Sequence, residues 1–425
     1  MSIVCPPLSG LIEVPGDKSI GHRALMLGAV AEGQSTIVGL SVGQDNSATA
    51  RILRQLGVSI ESEGSRTVVQ GRGLRGLRAP ADPLDCGNSG TTIRLMLGLL
   101  AGQEFESTLV GDESLSKRPM QRVLGPLSSM GLEVLESQRG GYCPLKVRGA
   151  ASLKGGEYKS SVASAQVKSA MLLAGLYASE PVTVVEPSQS RDHTERMLAH
   201  MGTPPQGCEL RVPGDLSSAA FLIGAALLVP GSRVVIRNVG INPTRTGFLD
   251  VIESMGARVY ETNVHRFNGE PSADLNVEYA SIRGFSLDAT MVVRSIDELP
   301  LLAVLASQAD GISHIRHASE LRVKESDRIS KTCELLASFG VQVQEHEDGL
   351  TVHGNRDHQL TPGSIDASGD HRIAMCAVLM ALIAPPGTVI DGLDAINSSF
   401  PSFFECLQAL GVPQDFVDGV RQSRK

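Results

Sequence analysis

The chain has 425 residues, 42% of them hydrophobic and 20% charged, with a formal net charge of -8 at pH 7. That length exceeds one ordinary core and points to two domains of roughly 200 residues, while the acidic balance, the absence of Trp and the 5 Tyr argue against nucleic acid or an anionic membrane as partner. The 7 Cys are scattered, with no C-x-x-C pair, which fits a reducing, cytoplasmic setting and offers no zinc framework.

In chain order, residues 1–13 show no basic segment followed by a long apolar run, so no signal or transit peptide is expected. VPGDKSIGHRAL (14–25) turns into an apolar helix opening near residue 19; the β-rich STIVGL (35–40) follows, then the amphipathic RILRQLG closing on Gly57. QGRGLRG (70–76) fits G-x-G-x-x-G, but RAPADP follows it instead of a helix, so no dinucleotide site is expected. CGNSGTTIR (86–94) opens the next apolar helix, STLVGD (107–112) reads as strand, and GDESLSKRPM (111–120) leads into a helix that Pro119 would open and Gly131 would close. SSVASAQVK (160–168), VTVVEP (182–187) and TERMLAHMG, ending at Gly202, repeat the theme.

At 212–223 the turn returns as VPGDLSSAAFLI, and SRVVIRNV (232–239) and FLDVIESMG, ending at Gly256, follow it. SIDELP (295–300), SELRVKESDRI (319–329) and CELLASFG, ending at Gly340, form a fifth set. SGDHR (368–372), GTVIDGL (387–393) and FFECLQALG, ending at Gly411, form a sixth. The run IAMCAVLMALIA (373–384) is too short to span a bilayer and reads as a helix buried on all sides. The closing glycines recur about every 71 residues, each where a helix C-cap needs a left-handed residue. One such unit leaves a helix face uncovered, so units must pack together. Two groups of three give an N-terminal domain of residues 14–212 and a C-terminal domain of 1–13 plus 213–425, with crossovers at the two VPGD turns.

The polar residues gather at the starts of the six apolar helices. A helix N-terminus has unpaired N–H groups and partial positive charge, which suits anions. Asp17, Ser19, Asn88, Ser89 and Asp215 can each be a plain N-cap. Lys18, Arg23, Arg94, Lys168 and Arg372 oppose the dipole at four of these starts, which favours a small multi-anion such as a phosphorylated carboxylate. Lys324 and Arg328 are a like-charge i,i+4 pair that a solvated helix would avoid, so both are expected to face one anion. Asp297 and Glu325 are the carboxylates best placed for acid–base work among these cations. His193 and His371 have no third ligand at metal spacing, and no metal is expected.

With GDKSIGHRAL, GNSGTTIR, SKRPM, SAQVKSA, SRDHTE, VPGDLSSAAF, IDELP, RVKESDR and GDHRIAM in order along it, the chain resembles the 5-enolpyruvylshikimate-3-phosphate synthase family over essentially its whole length. The resemblance implies two similar inside-out α/β domains, each of three βαβαββ repeats, with the active site in the cleft between them and closure on substrate. It implies transfer of the enolpyruvyl group of phosphoenolpyruvate to the 5-hydroxyl of shikimate 3-phosphate, with no cofactor and with these small-molecule substrates as partners; a monomer is expected.

It further implies that Lys18, Ser19, Arg23, Ser164, Ala165, Gln166, Arg191, Asp297 and Lys324 bind shikimate 3-phosphate. Lys18, Gly90, Arg118, Gln166, Arg328 and Arg372 would bind phosphoenolpyruvate. Asp297 would take the hydroxyl proton and Glu325 would protonate the methylene carbon, with Lys18 able to share that role. One departure stands out: the family branch with Lys before Thr-Phe-Pro has no counterpart in Asn397-Ser398-Ser399-Phe400-Pro401, and with SAQVKSA this resembles the other bacterial branch. The rival UDP-N-acetylglucosamine enolpyruvyl transferases carry Asn after the first Lys and Cys in the mobile loop, where this chain has Ser19 and SLSKRPM. A non-catalytic anion-binding relative would need no acid–base pair.

Overall fold

The computed structural model describes residues 5–421 except 139 and 358. Contacts among the described residues divide the chain into two compact units, one of Gly16–Pro213 with Arg266–Glu270, the other of residues 5–15, Gly214–His265 and residues 271–421. Each unit has its own hydrophobic core.

Among the described residues, each unit is built on three nearly all-apolar helices. Lys18–Val30, Gly90–Leu100 and Ala165–Gly175 serve the first unit, and Leu216–Leu228, Leu299–Ser307 and His371–Ile383 the second. These have no polar face to show to water: every residue of Leu216–Leu228 and of Leu299–Ser307 is buried. The helices pack on one another inside, and the sheets and amphipathic helices surround them. Four have a side-chain N-cap, as Asp17 accepts from the Ile20 N–H, Ser89 from Thr92, Asp215 from Ser217 and Asp370 from Arg372.

The amphipathic series is present as well: Gln44–Gln55, Gln121–Met130, His193–Met201, Gly247–Ser254, Arg328–Ser338 and Phe403–Ala409. Gly57, Gly131, Gly202, Gly256, Gly340 and Gly411 after them all have φ between 82° and 128°, a region that costs a side-chain-bearing residue strain. The helix after SKRPM starts at Gln121, two residues beyond Pro119, and carries Pro126 within it.

Strands surround each helix trio in short sheets, of which the four-stranded ones are mixed. Glu209–Arg211, Gln34–Val38, Arg66–Gln70 and Ser59–Glu63 form one, with the first pair parallel and the rest antiparallel. Ser9–Glu13, Arg233–Gly240, Glu270–Glu278 and Val259–Phe267 form its equivalent in the other unit, again starting from a parallel pair. Residues 9–13 thus belong to the unit that otherwise begins at Gly214. At the two VPGD turns, the Asp17 N–H donates to the Pro213 carbonyl and the Asp215 N–H to that of Pro15, both at 2.8 Å. No helix of the described residues is long and apolar enough to cross a membrane.

Candidate functional site

In the unit of Gly16–Pro213 the polar residues sit where three helices begin. Lys18, the first residue of its helix, pairs with Asp45 at 2.9 Å. Arg23 is buried one turn later, donating to the Ser19 carbonyl at 2.8 Å, Ser169 Oγ at 2.6 Å and Thr194 Oγ1 at 2.7 Å. Burial, eased by Glu195 and Asp17 and reinforced by the charge of Arg191, brings the Arg23 guanidinium down to about 10, so it is charged at neutral pH.

Gly90 opens the second helix, and a Cβ there would stand 2.8 Å from Arg94 Nη1 and 3.3 Å from Arg118 Nη1. The bare glycine is what lets two guanidinium groups approach the helix start. Arg118 is held by Asn88, through its carbonyl at 3.2 Å and its side-chain oxygen, and by Ser114 Oγ at 3.1 Å. Asn88 is therefore no N-cap; it orients Arg118, while Ser89 caps. Gln166, in the first turn of the third helix, accepts from Arg94 Nη1 at 2.7 Å and donates to Thr91 Oγ1 at 3.0 Å. Ser164 is the N-cap of that helix without a side-chain bond to it, and Ala165 is its first residue. Arg191 is half-buried before His193–Met201.

Two cations behave otherwise than the helix-start rule expects. Lys168 is buried against Glu186 at 2.9 Å and Glu195 at 2.8 Å, a charge-neutralised strut. Lys117 is exposed and pairs with Glu113.

The second unit concentrates charge more densely. Residues 319–323 form a short 3-10 turn, Lys324 is extended, and Asp327 caps a helix whose first residue is Arg328. Lys324 and Arg328 are thus not stacked on one helix, yet both approach one anion: Asp297 Oδ1 lies 3.7 Å from Lys324 Nζ and 3.5 Å from Arg328 Nη1. On the other side, Asp297 Oδ2 is 3.7 Å from Arg372 Nη2 and 3.8 Å from Arg245 Nη1. Arg372 Nη1 also donates to the Asp297 carbonyl at 2.8 Å. Arg328 is 1% exposed and pairs with Asp370 at 2.8 Å and Glu325 at 2.6 Å. Burial opposes its charge, but Asp370 and Glu325 outweigh that and hold it above the usual arginine value. Burial acts against Asp370 too, and the Arg328 charge brings its carboxyl below the ordinary range.

Sequence reasoning passed over Arg245, Glu298 and Asp370. Arg245 precedes Thr246, the N-cap of Gly247–Ser254, so it breaks the same dipole preference that marked the other arginines. Glu298 is next to Asp297 but fully buried, and nothing local distinguishes it from a surface carboxylate. Among the described residues no group of three or more His, Cys, Asp or Glu side chains is arranged to hold a metal ion.

Comparison with known proteins is consistent along the whole chain. A family model described as EPSP synthase (3-phosphoshikimate 1-carboxyvinyltransferase) matches residues 5–407. A 3-phosphoshikimate 1-carboxyvinyltransferase of Bacillus pumilus is 45% identical over 420 residues, covering 95% of this chain and 97% of that protein. One from Brevibacillus brevis is 47% identical over 415 residues, covering 94% and 97%. The solved structure of EPSP synthase from Acinetobacter baumannii superposes with a TM-score of 0.84 at 39% identity, covering 97% of this chain and 98% of that one. The chain belongs to the EPSP synthase (3-phosphoshikimate 1-carboxyvinyltransferase) family.

Proposed function

We propose that this chain transfers the enolpyruvyl group of phosphoenolpyruvate to the 5-hydroxyl of shikimate 3-phosphate, with Asp297 and Glu325 as its proton-transfer residues. The observation that carries the assignment is the Asp297 carboxylate set 3.5–3.8 Å from four cationic side chains, one of which also pairs with Glu325.

A carboxylate so placed can accept the hydroxyl proton while the oxygen bonds to C2 of phosphoenolpyruvate. Glu325 delivers a proton to C3, giving a tetrahedral adduct that carries both skeletons and the phosphate. Loss of a proton from C3 and departure of phosphate then restore the double bond. Glu325 is tied to Arg328 at 2.6 Å. A phosphoenolpyruvate anion that engages Arg328 competes for that guanidinium and stands beside the carboxyl group. Both effects favour the protonated acid that the addition step needs. Arg118 and Arg372 would complete the phosphoenolpyruvate contacts, with Gly90 keeping the backbone accessible and Gln166 and Lys18 touching both substrates.

On the shikimate side Ser19, Ser164, Ala165, Arg191 and Lys324 would bind the phosphate and ring hydroxyls. Arg23 belongs to the same set, its bond to the Ser19 carbonyl fixing that helix start. The SAQVKSA motif and the lysine-free 397–401 segment support the corresponding bacterial branch. The cysteines, all free and mostly buried, support a reducing, cytoplasmic setting. No cofactor is required, and the acidic, aromatic-poor composition supports the absence of a nucleic-acid partner.

Phosphate release measured with each substrate alone and with both tests this directly. Release should require both, and release with UDP-N-acetylglucosamine in place of shikimate 3-phosphate would contradict the assignment.

A further inference from the structure

Glu298 is fully buried, and a carboxylate taken out of water costs several kcal/mol unless its surroundings compensate. Its Oε1 lies 3.7 Å from both Arg245 Nη1 and Arg372 Nη1 and accepts a bond from the Ser217 hydroxyl. Its Oε2 is buried without a hydrogen-bond partner. A carboxylate kept only for packing or capping is poorly served by that arrangement, and Glu298 makes no side-chain cap bond to its own helix. What it does have is proximity to the same two arginines that flank Asp297 Oδ2.

Four cations around Asp297 would, uncompensated, hold its carboxyl so acidic that it could hardly take a proton from a hydroxyl group. The surrounding elements supply the compensation. Asp215, the N-cap of Leu216–Leu228, pairs with Arg245 at 3.2 Å. Asp370, which precedes His371 and Arg372, pairs with Arg328, as does Glu325 beside Lys324. Glu298 stands against both Arg245 and Arg372. Ser217 connects the group, accepting from Arg245 at 2.7 Å and Arg372 at 3.3 Å while donating to Glu298.

We propose that Glu298 is a positioning residue of the transfer reaction, setting the basicity of Asp297 and the orientation of the Arg372 guanidinium through Arg245 and Arg372. This rests on Asp297 being the base. An arginine fork is rigid and planar. Nη1 of Arg372 is held by the Asp297 carbonyl and drawn to Glu298, which fixes the plane of the guanidinium.

The test is the pH dependence of kcat for Glu298→Gln, Arg245→Gln and Asp297→Asn, with thermal unfolding as the folding control. Glu298→Gln keeps the shape and an acceptor for Ser217 but removes the charge. Asp297 then feels a more positive field, so the acidic limb of the profile moves to lower pH and the plateau falls about 10- to 100-fold, while KM for phosphoenolpyruvate changes less. Arg245→Gln removes a cation and moves the limb the opposite way; should Glu298→Gln alone not fold, the double variant of Glu298→Gln with Arg245→Gln carries the test, its limb lying below that of Arg245→Gln. A purely structural glutamate would leave the acidic limb of Glu298→Gln where the unsubstituted protein has it. A folded Glu298→Gln, or Arg245→Gln, whose acidic limb matches that of the unsubstituted protein overturns the proposal. Full turnover in Asp297→Asn overturns it as well, and places the fault in the assignment of the base.

Discussion

At the scale of single residues, burial decides which charges the molecule can carry. His22 is fully buried one turn into the Lys18 helix, its Nδ1 2.8 Å from Thr49 Oγ1. Burial, with the charges of Lys18 and Arg23, keeps its ring well below the usual histidine range and therefore neutral. The unfolded chain takes up a proton near pH 6.5 and the folded one does not, so His22 stabilises the fold above that pH and the contribution is lost as pH falls below it. His22→Asn should therefore flatten the fall in melting temperature between about pH 7 and 5; an unchanged slope, measured by calorimetry, would show that His22 does not govern it. The same accounting explains why Arg328 is tolerated at 1% exposure: three carboxylates, Asp297, Glu325 and Asp370, surround it.

At the scale of elements, the helix starts are held in register by side-chain hydroxyls. His22 bonds Thr49, Thr49 bonds Thr92 at 2.8 Å, and the Thr92 hydroxyl donates to Ser89 Oγ at 2.8 Å, so one buried chain ties Lys18–Val30, Gln44–Gln55 and Gly90–Leu100 together. Thr49→Val keeps the shape and breaks two of these bonds, leaving His22 Nδ1 without its partner. A loss of about 1–3 kcal/mol in chemical denaturation is expected, with KM for phosphoenolpyruvate raised because Gly90 and Lys18 lose their fixed spacing. A variant equal to the parent in both would refute the role of the chain. Helix ends were the most legible feature of the sequence, because Asp17, Ser89 and Asp215 before a helix and Gly57 or Gly340 after one act on their own neighbours. Lys168 and Asn88 show the limit. Both sit near a helix start, but Glu186 and Glu195 claim the lysine and Arg118 the asparagine, and such partners come from 18–30 residues away.

At the scale of the molecule, the sixfold rhythm and the repeated VPGD turn made the α/β layout readable, since each repeat is a local pattern copied along the chain. Arg245, Glu298 and Asp370 were not readable in that way. Their partners lie on other elements of the chain, and no spacing rule announces such a partner. The two cores share no residue, and the chain crosses between units at 15–16 and 213–214, with Arg266–Glu270 a short return to the first unit. Unfolding should therefore not be two-state, and the calorimetric enthalpy should exceed the van't Hoff enthalpy; equality would mean that the cores melt as one. The most direct measurement of the central claim is a rapid-quench single turnover with labelled phosphoenolpyruvate and shikimate 3-phosphate, run on the parent and on Asp297→Asn. The parent should pass through an adduct holding both skeletons and phosphate, while the variant binds both substrates and forms the adduct about 10²- to 10⁴-fold more slowly. Adduct formation at the parental rate in Asp297→Asn would contradict the account.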